Sequence, residues 1–380
     1  MINFGELSLE TFLRDYWQQK PLLVRQALPG FESPISPDEL AGMALEGEVE
    51  SRLVMEQGPS SPWELRNGPF SDADFAALPE SHWTLLVQAA DQWMEEVHAL
   101  RAEFAFIPNW RFDDIMISYA PDQGGVGPHY DHYDVFLLQG LGRRRWALGQ
   151  WCTDNTPVRS DTQLRILADF EQTDEWVLEP GDMLYIPPGL AHLGIADGGD
   201  CMTYSIGFRA PSHEEILAEL GAEAGSRQPE SRRFRDRSIA VGADPGEIPE
   251  HAVDQLQVLF RDLAEDRNLL RDWLGGRMTL RKYPDEVWTP EEGVPEDWAE
   301  YLAKGMVLLR YPAARFAWSA EDGGLLWVDG VCYRCRAALA QRLAGNSALT
   351  AETLADALAD GDESALIAQL LADGALYLDD

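Results

Sequence analysis

Short apolar runs punctuated by Gly and Pro fill residues 104–210. Ile115-Met116-Ile117-Ser118-Tyr119-Ala120 predicts one strand, and Asp134-Val135-Phe136-Leu137-Leu138-Gln139 predicts a second. Gly140-Leu141-Gly142 is expected to turn the chain, and Arg143-Arg144-Arg145-Trp146-Ala147-Leu148 to return it. Trp176-Val177-Leu178 and Met183-Leu184-Tyr185-Ile186 flank the turn Glu179-Pro180-Gly181-Asp182. Many short strands with such turns point to a sandwich or barrel. Nearer the N-terminus, Leu9, Phe12, Leu13 and Tyr16 recur at helical spacing behind Ser8, a good cap. Leu22-Leu23-Val24 reads as a strand after Pro21, Ser36-Pro37-Asp38-Glu39 opens a helix, and Trp83-Thr84-Leu85-Leu86-Val87 is another strand.

The period changes after about residue 211. Ser212 begins a helix with Ile216, Leu217 and Leu220 on its apolar face. Residues 221–247, rich in Gly, Arg, Pro and Asp, read partly as a linker. Val253, Leu256, Leu259, Phe260 and Leu263 follow helical spacing, and Leu269, Leu270, Trp273 and Leu274 continue the face until Gly275-Gly276, expected to end it. Beyond residue 276, strands such as Val307-Leu308-Leu309 and Leu325-Leu326-Trp327-Val328 alternate with helices expected over 351–359 and 363–372. The division expected is therefore 1–211, mainly β; 212–275, all-α; and 276–380, a small α+β module. A length of 380 residues allows two or three domains.

Composition narrows the function classes. No stretch approaches the roughly 18 to 20 uninterrupted apolar residues of a membrane span. Met1-Ile2-Asn3-Phe4-Gly5-Glu6 lacks the basic start and apolar core of a secretory signal. Four cysteines make no disulfide framework, so a cytoplasmic location is expected. Cys332-Tyr333-Arg334-Cys335 has no second pair or nearby His to complete a zinc site and reads as structural. The formal charge is −35, which disfavours nucleic acid and favours cationic partners.

The candidate chemistry lies in His129-Tyr130-Asp131, answered by His192 sixty-one residues after Asp131. Two imidazoles and a carboxylate form the facial triad of non-heme Fe(II) oxygenases. In a strand, His129 and Asp131 point to one side. His132-Tyr133-Asp134 repeats the pattern three residues on and would face the other side. The first copy is preferred because it follows the Gly/Pro loop 121–128; His132 and Asp134 are then expected to face outward as surface or packing residues.

Gly127-Pro128-His129-Tyr130-Asp131, Gly142-Arg143-Arg144-Arg145-Trp146 and Glu179-Pro180-Gly181-Asp182-Met183-Leu184-Tyr185-Ile186-Pro187-Pro188-Gly189 before His192 resemble the JmjC/cupin-type ribosomal oxygenases, most closely the bacterial ribosomal protein arginine hydroxylases. The N-terminal Phe12-Leu13-Arg14-Asp15-Tyr16-Trp17 is similar to the family's opening. The resemblance implies a double-stranded β-helix (cupin/JmjC), a helical dimerisation region and a winged-helix-like C-terminal domain. It also implies Fe(II), 2-oxoglutarate and O2, with succinate and CO2 as coproducts.

The resemblance carries His129, Asp131 and His192 over as iron ligands and Arg144, fifteen positions after His129, as the partner of the distal carboxylate of 2-oxoglutarate. A guanidinium suits a carboxylate because it binds bidentately. Ser118 and Met116, on the preceding strand, are expected to line the cosubstrate pocket. The implied substrate is the β-carbon of an Arg in a basic protein of the large (50S) ribosomal subunit, and the implied assembly is a homodimer. Asp122, in the loop before His129, is where the family places an acid for the substrate guanidinium; turn chemistry is the competing reading. A metal cupin of isomerase or hydrolase type, which has no reason to keep Arg144, and a non-catalytic ribosome-binding module are the alternatives.

Overall fold

The computed structural model describes residues 2–56, 63–235, 244–284, 293–295, 297–345 and 348–379. The N-terminal region carries helices α1 (Leu9–Asp15), α2 (Pro37–Met43), α3 (Asp72–Ala76) and α4 (Glu95–Ala99). Its strands are β1 (Leu22–Val24), β2 (Ser51–Met55), β3 (Glu64–Asn67), β4 (Trp83–Val87), β5 (Phe112–Ala120), β6 (Val135–Leu141), β7 (Arg144–Trp151), β8 (Asp174–Leu178), β9 (Met183–Ile186), β10 (Leu190–Ala196) and β11 (Cys201–Phe208). They form an eight-stranded sheet, β1-β9-β6-β11-β5-β4-β2-β3, facing a three-stranded sheet, β10-β7-β8. This is the double-stranded β-helix.

Alternation along the strands decides what each face of the large sheet does. Ile115, Ile117, Phe136, Leu138, Tyr204 and Ile206 point outward and are buried with Phe12 and Leu40 of α1 and α2. Those helices are held by side-chain caps: Ser8 accepts from Thr11 N, and Ser36 forms a reciprocal capping box with Glu39. The opposite face turns toward the small sheet. There Val135, Leu137, Leu184 and Ile186 pack against Trp146, Leu148, Leu178 and Leu190 and fill one end of the space between the sheets.

Then follow α5 (His213–Ser226), α6 (Glu250–Glu265), α7 (Arg267–Met278) and α8 (Trp298–Ala303). The C-terminal module adds β12 (Val307–Arg310), β13 (Phe316–Ser319), β14 (Leu325–Val328), β15 (Val331–Arg334), α9 (Ala337–Ala344), α10 (Ala355–Leu358), α11 (Gly361–Ala372) and β16 (Leu376–Asp379). It has its own core around Leu308, Leu326, Leu343, Ile367 and Leu370. Arg315 fastens it to the N-terminal region, donating to the carbonyls of Phe112 (2.8 Å) and Asp113 (2.6 Å).

Several local expectations change. Gly140 and Leu141 remain in β6, and the turn is confined to Gly142, with φ +61°, and Arg143. Helix α5 runs through Gly221 to Ser226, which shortens the linker expected over 221–247; residues 236–243 of it lie outside the described residues. Gly275-Gly276 does not stop α7. A Cβ on Gly275 would lie 2.3 Å from the Trp327 ring, so the glycine serves close approach of α7 to β14 rather than termination. Helix α7 packs on β13, β14 and β15 as well as on α5 and α6, so its contacts cross the expected boundary at 276. The helix expected over 351–359 shrinks to α10, because residues 351–354 form turns.

Candidate metal centre

After β5 the chain passes through residues 121–128 and meets β10. His129 N donates to His192 O (3.0 Å) and His192 N donates to His129 O (2.8 Å). The pair is an isolated bridge, so His129-Tyr130-Asp131 is not the regular strand expected. Pro128, which has no N–H to give a ladder, precedes it. Asp131 is anchored instead by its carbonyl, which accepts from Gly189 N (2.7 Å) in the Pro187-Pro188-Gly189 turn. The turn that returns the chain to His192 thus also holds Asp131.

One ligand atom from each of His129, Asp131 and His192 falls within 4.8 Å of the others. The ring orientations suit a metal. Nδ1 of His129 lies 2.9 Å from the Gly127 carbonyl, and Nδ1 of His192 lies 3.0 Å from the Leu190 carbonyl. A carbonyl only accepts, so each Nδ1 carries the proton and each Nε2 keeps its lone pair. Burial, followed by the neighbouring His129, pushes His192 down to about 4, so it is neutral at neutral pH, as a metal ligand must be. The rival copy is apart from this geometry. His132 is exposed, 4.0 Å from Asp154. Asp134 is completely buried, not at the surface. It accepts from Tyr185 Oη (2.6 Å), Gln18 Nε2 (2.9 Å) and Arg111 (3.4 Å) and ties the sheet to the segment after α1.

The triad opens into a cavity of about 600 Å³ between the two sheets. Met116, Ser118 and Arg144 line it. Arg144 is 2 % exposed, and its guanidinium donates weakly to Ser118 Oγ (3.4 Å) and to Gly194 O (3.2 Å). Among the described residues its Nε has no hydrogen-bond partner and no carboxylate pairs with it. A buried cation without a counterion is costly unless an anion completes it. The donor set therefore fits a divalent metal, and the orphaned guanidinium fits a carboxylate beside it. Arg143 and Arg145 point outward, to Asp197 (3.1 Å) and Glu175 (4.0 Å).

Asp122 is outside the cavity lining. Its Oδ1 accepts from Gly198 N (2.8 Å) and Gln123 Nε2 (3.2 Å), and the Gly198 bond leads in holding its carboxyl below the ordinary range. These are the bonds of turn chemistry, the competing reading of this residue, and they hold it away from the cavity that contains the triad. The acids that do line the cavity are Glu50, Asp113, Asp114 and Asp131. Asp114 shares the β5 face of Met116 and Ser118, a placement that the period-2 alternation of β5 already contains. Its Oδ2 accepts from Gln88 Nε2 (2.7 Å) and Ala89 N (3.1 Å), while its Oδ1 is 3.6 Å from where a Cβ on Gly207 would stand. Tyr133, whose hydroxyl the neighbouring Asp131 carboxylate keeps protonated, lies beside the same glycine and lines the cavity.

Residues 99–216 match the family model of the JmjC domain, residues 262–377 that of the ROXA-like winged helix, and residues 170–267 that of the AraC-like ligand binding domain. The chain is 36% identical over 371 residues to the ribosomal protein uL16 3-hydroxylase of Escherichia coli K12, covering 97% of both chains. It is 44% identical over 212 residues to a probable ribosomal oxygenase of Haemophilus influenzae, covering 56% of this chain and 52% of that protein. The solved structure of the E. coli ribosomal oxygenase YcfD with cobalt and 2-oxoglutarate superposes with a TM-score of 0.88 at 35% identity, covering 99% of each chain. With a relative this similar along its whole length, the chain belongs to the JmjC-domain ribosomal oxygenases.

Proposed function

We propose that this chain is an Fe(II)- and 2-oxoglutarate-dependent hydroxylase of an arginine, at its β-carbon, in a basic protein of the large ribosomal subunit. The observation that carries the reading is Arg144, a buried guanidinium with no carboxylate partner among the described residues, sharing a cavity with two imidazoles and an aspartate. The E. coli relative whose structure contains cobalt and 2-oxoglutarate supports the same ligands here.

When bound, the iron with 2-oxoglutarate and O2 supplies the oxidation that places one oxygen atom in a C–H bond and releases succinate and CO2. His129, Asp131 and His192 would hold the metal. Arg144 binds the distal carboxylate of 2-oxoglutarate, with Ser118 beside it as a further hydrogen-bond donor and Met116 as an apolar wall. Val135, Leu137 and Trp146 keep water from that end of the cavity. At the other end Asp114, and not Asp122, receives the substrate guanidinium through Oδ1. Asp114 and Ser118 are four residues apart on one face of β5, roughly 13 Å along an extended strand. That separation leaves room for a side chain held at one end by its charge and presented to the metal nearer its backbone.

The charge of −35 favours a basic ribosomal protein over nucleic acid, and the four cysteines without a disulfide framework suit the cytoplasm. Among the described residues no helix is long and apolar enough to cross a membrane. Helix α6 exposes Val253, Leu256, Leu259 and Phe260, an apolar face that supports assembly as a homodimer. The test is succinate release from 2-oxoglutarate with Fe(II), with and without a basic uL16 peptide, and a mass gain of one oxygen located on an Arg. Peptide-stimulated succinate with no oxygen on Arg would remove the substrate assignment. No succinate at all would remove the oxygenase reading.

A further inference from the structure

The acidic end of the cavity already contains a cation. Lys282 lies four residues after α7, and its Nζ is 3.0 Å from Asp113 Oδ2 and 2.8 Å from Asp114 Oδ2. The side chain is 21 % exposed and lines the catalytic cavity, although it belongs to the segment leading into the C-terminal module. Its neighbours hold that segment in place. Arg281 pairs with Asp329 of the C-terminal module (2.7 Å), and Tyr283 Oη donates to Glu50 (2.9 Å), another residue of the cavity wall.

The two aspartates are not equivalent. Asp113 meets three cations, because its Oδ1 also faces Arg209 (3.0 Å) and Arg315 (3.3 Å). Asp114 meets one among the described residues, Lys282. Among the described residues, all the donors to Asp114 converge on Oδ2: Lys282, Gln88 and the Ala89 amide. Oδ1 is left toward Gly207 and the cavity. A substrate cation that reaches Oδ1 therefore arrives on a carboxylate whose charge is already shared. Lys282 need not leave when it does, since Asp113 holds it from the other side.

Resting on the proposed cation-binding role of Asp114, we propose that Lys282 is a specificity-determining residue that weakens the cavity's hold on any cationic side chain and favours guanidinium over ammonium. The physical reason is like-charge repulsion at short range. An ammonium is a compact, strongly hydrated charge and meets the full field of Lys282. A guanidinium spreads its charge over a plane and can donate two N–H bonds to one exposed carboxylate oxygen. Lys282 thus disfavours lysine more than arginine in a cavity whose bare acidity would accept both.

The test compares the full-length protein with its Lys282→Met variant, loaded with Fe(II) and 2-oxoglutarate. Three uL16 peptides are used, identical except for Arg, Lys or citrulline at the hydroxylated position. Removing a like charge at this range is expected to lower KM for the Arg peptide by about tenfold in the variant, and the Arg-to-Lys ratio of kcat/KM by a similar factor. The citrulline peptide, which has no charge, should keep its KM. Lys282→Gln, which keeps a hydrogen-bond donor for the aspartates, supplies the same comparison if the methionine variant does not fold. An unchanged or raised KM for the Arg peptide, in a protein that still prefers Arg to citrulline, overturns the role of Lys282 and leaves that of Asp114 standing. Equal use of Arg and citrulline by the unmodified protein overturns both.

Discussion

His129 and His192 face each other across a pair of backbone hydrogen bonds, with their ring centroids 4.3 Å apart. Each ring is steered by a carbonyl two residues before it, so the backbone that pairs the two residues also orients them. Removing either imidazole removes a ligand, whereas removing His132 removes a surface group. His129→Ala and His192→Ala should each weaken Co(II) binding, measured by titration calorimetry, by more than the 10- to 100-fold that loss of a supporting hydrogen bond costs. His132→Ala should bind as the unmodified protein does. The reverse pattern would transfer the site to the second His-x-Asp copy.

Gly194 supports Arg144 from behind. A Cβ there would lie 2.7 Å from Arg144 Nε and 2.7 Å from the Trp146 ring, so one or both side chains must shift into the cavity that they line. Gly194→Ala should therefore displace the guanidinium and raise KM for 2-oxoglutarate by at least about tenfold, roughly one good charged hydrogen bond. Peptide KM should change much less. Arg144→Lys should show the same selectivity, since an ammonium cannot reproduce the bidentate fork. If both kinetic constants moved together, the cavity as a whole would have been disturbed.

Asp114 and Asp122 make opposite predictions. Asp114→Asn removes the carboxylate that faces the cavity and should raise KM for an arginyl peptide by about 30-fold or more, within the cost of losing a charged hydrogen bond. Asp122→Asn changes a turn acceptor bonded to Gly198 N and should leave peptide KM within about twofold, with a small loss of stability. Steady-state kinetics on both variants decide between the two acids. Parity between them would revive the loop assignment.

Much of this site is legible in the sequence. The alternation over 115–120 and 134–139 identified β5 and β6, and the choice of His129 over His132 followed from the loop that precedes it. Alternation on β5 also contained Asp114, since it shares a face with Met116 and Ser118. Asp114 lies one residue before the strand expected over 115–120, and the family resemblance points instead to an acid in the loop, Asp122. Other features had no local signal. Lys282 is 168 residues from Asp114, and a lone lysine after a helix carries no mark of what it will meet. Asp134 looked like a second ligand frame because its burial depends on Tyr185, Gln18 and Arg111, which come together only in the folded sheet. Gly275 imitated a helix stop, although its role is set by Trp327 on a distant strand.

The junction between the catalytic region and the C-terminal module should be sensitive to mild acid. His98, Arg101 and Arg310 share a cavity of about 260 Å³ there, and Nδ1 of His98 lies 3.2 Å from the Asp91 carbonyl. Burial first, then Arg101, pushes the imidazole down from its ordinary value to about 4. The unfolded chain protonates His98 near pH 6.5, while the folded protein resists until about pH 4. Between those values the unfolded state binds the extra proton, so stability falls as pH falls, and the loss levels off below pH 4. Asp91 works in the opposite sense: burial raises its carboxyl to about 6, so on acidification the folded state takes up that proton before the unfolded chain does. His98→Gln removes the first effect and keeps the second. The variant should therefore gain about 1 to 2 kcal/mol on the unmodified protein between pH 7 and pH 5, allowing for the partial exposure of the ring. Urea denaturation at the two pH values measures the difference directly. Parallel stability changes in the two proteins would mean that His98 titrates alike whether folded or unfolded, and that the arginines at the junction exert no pull on it.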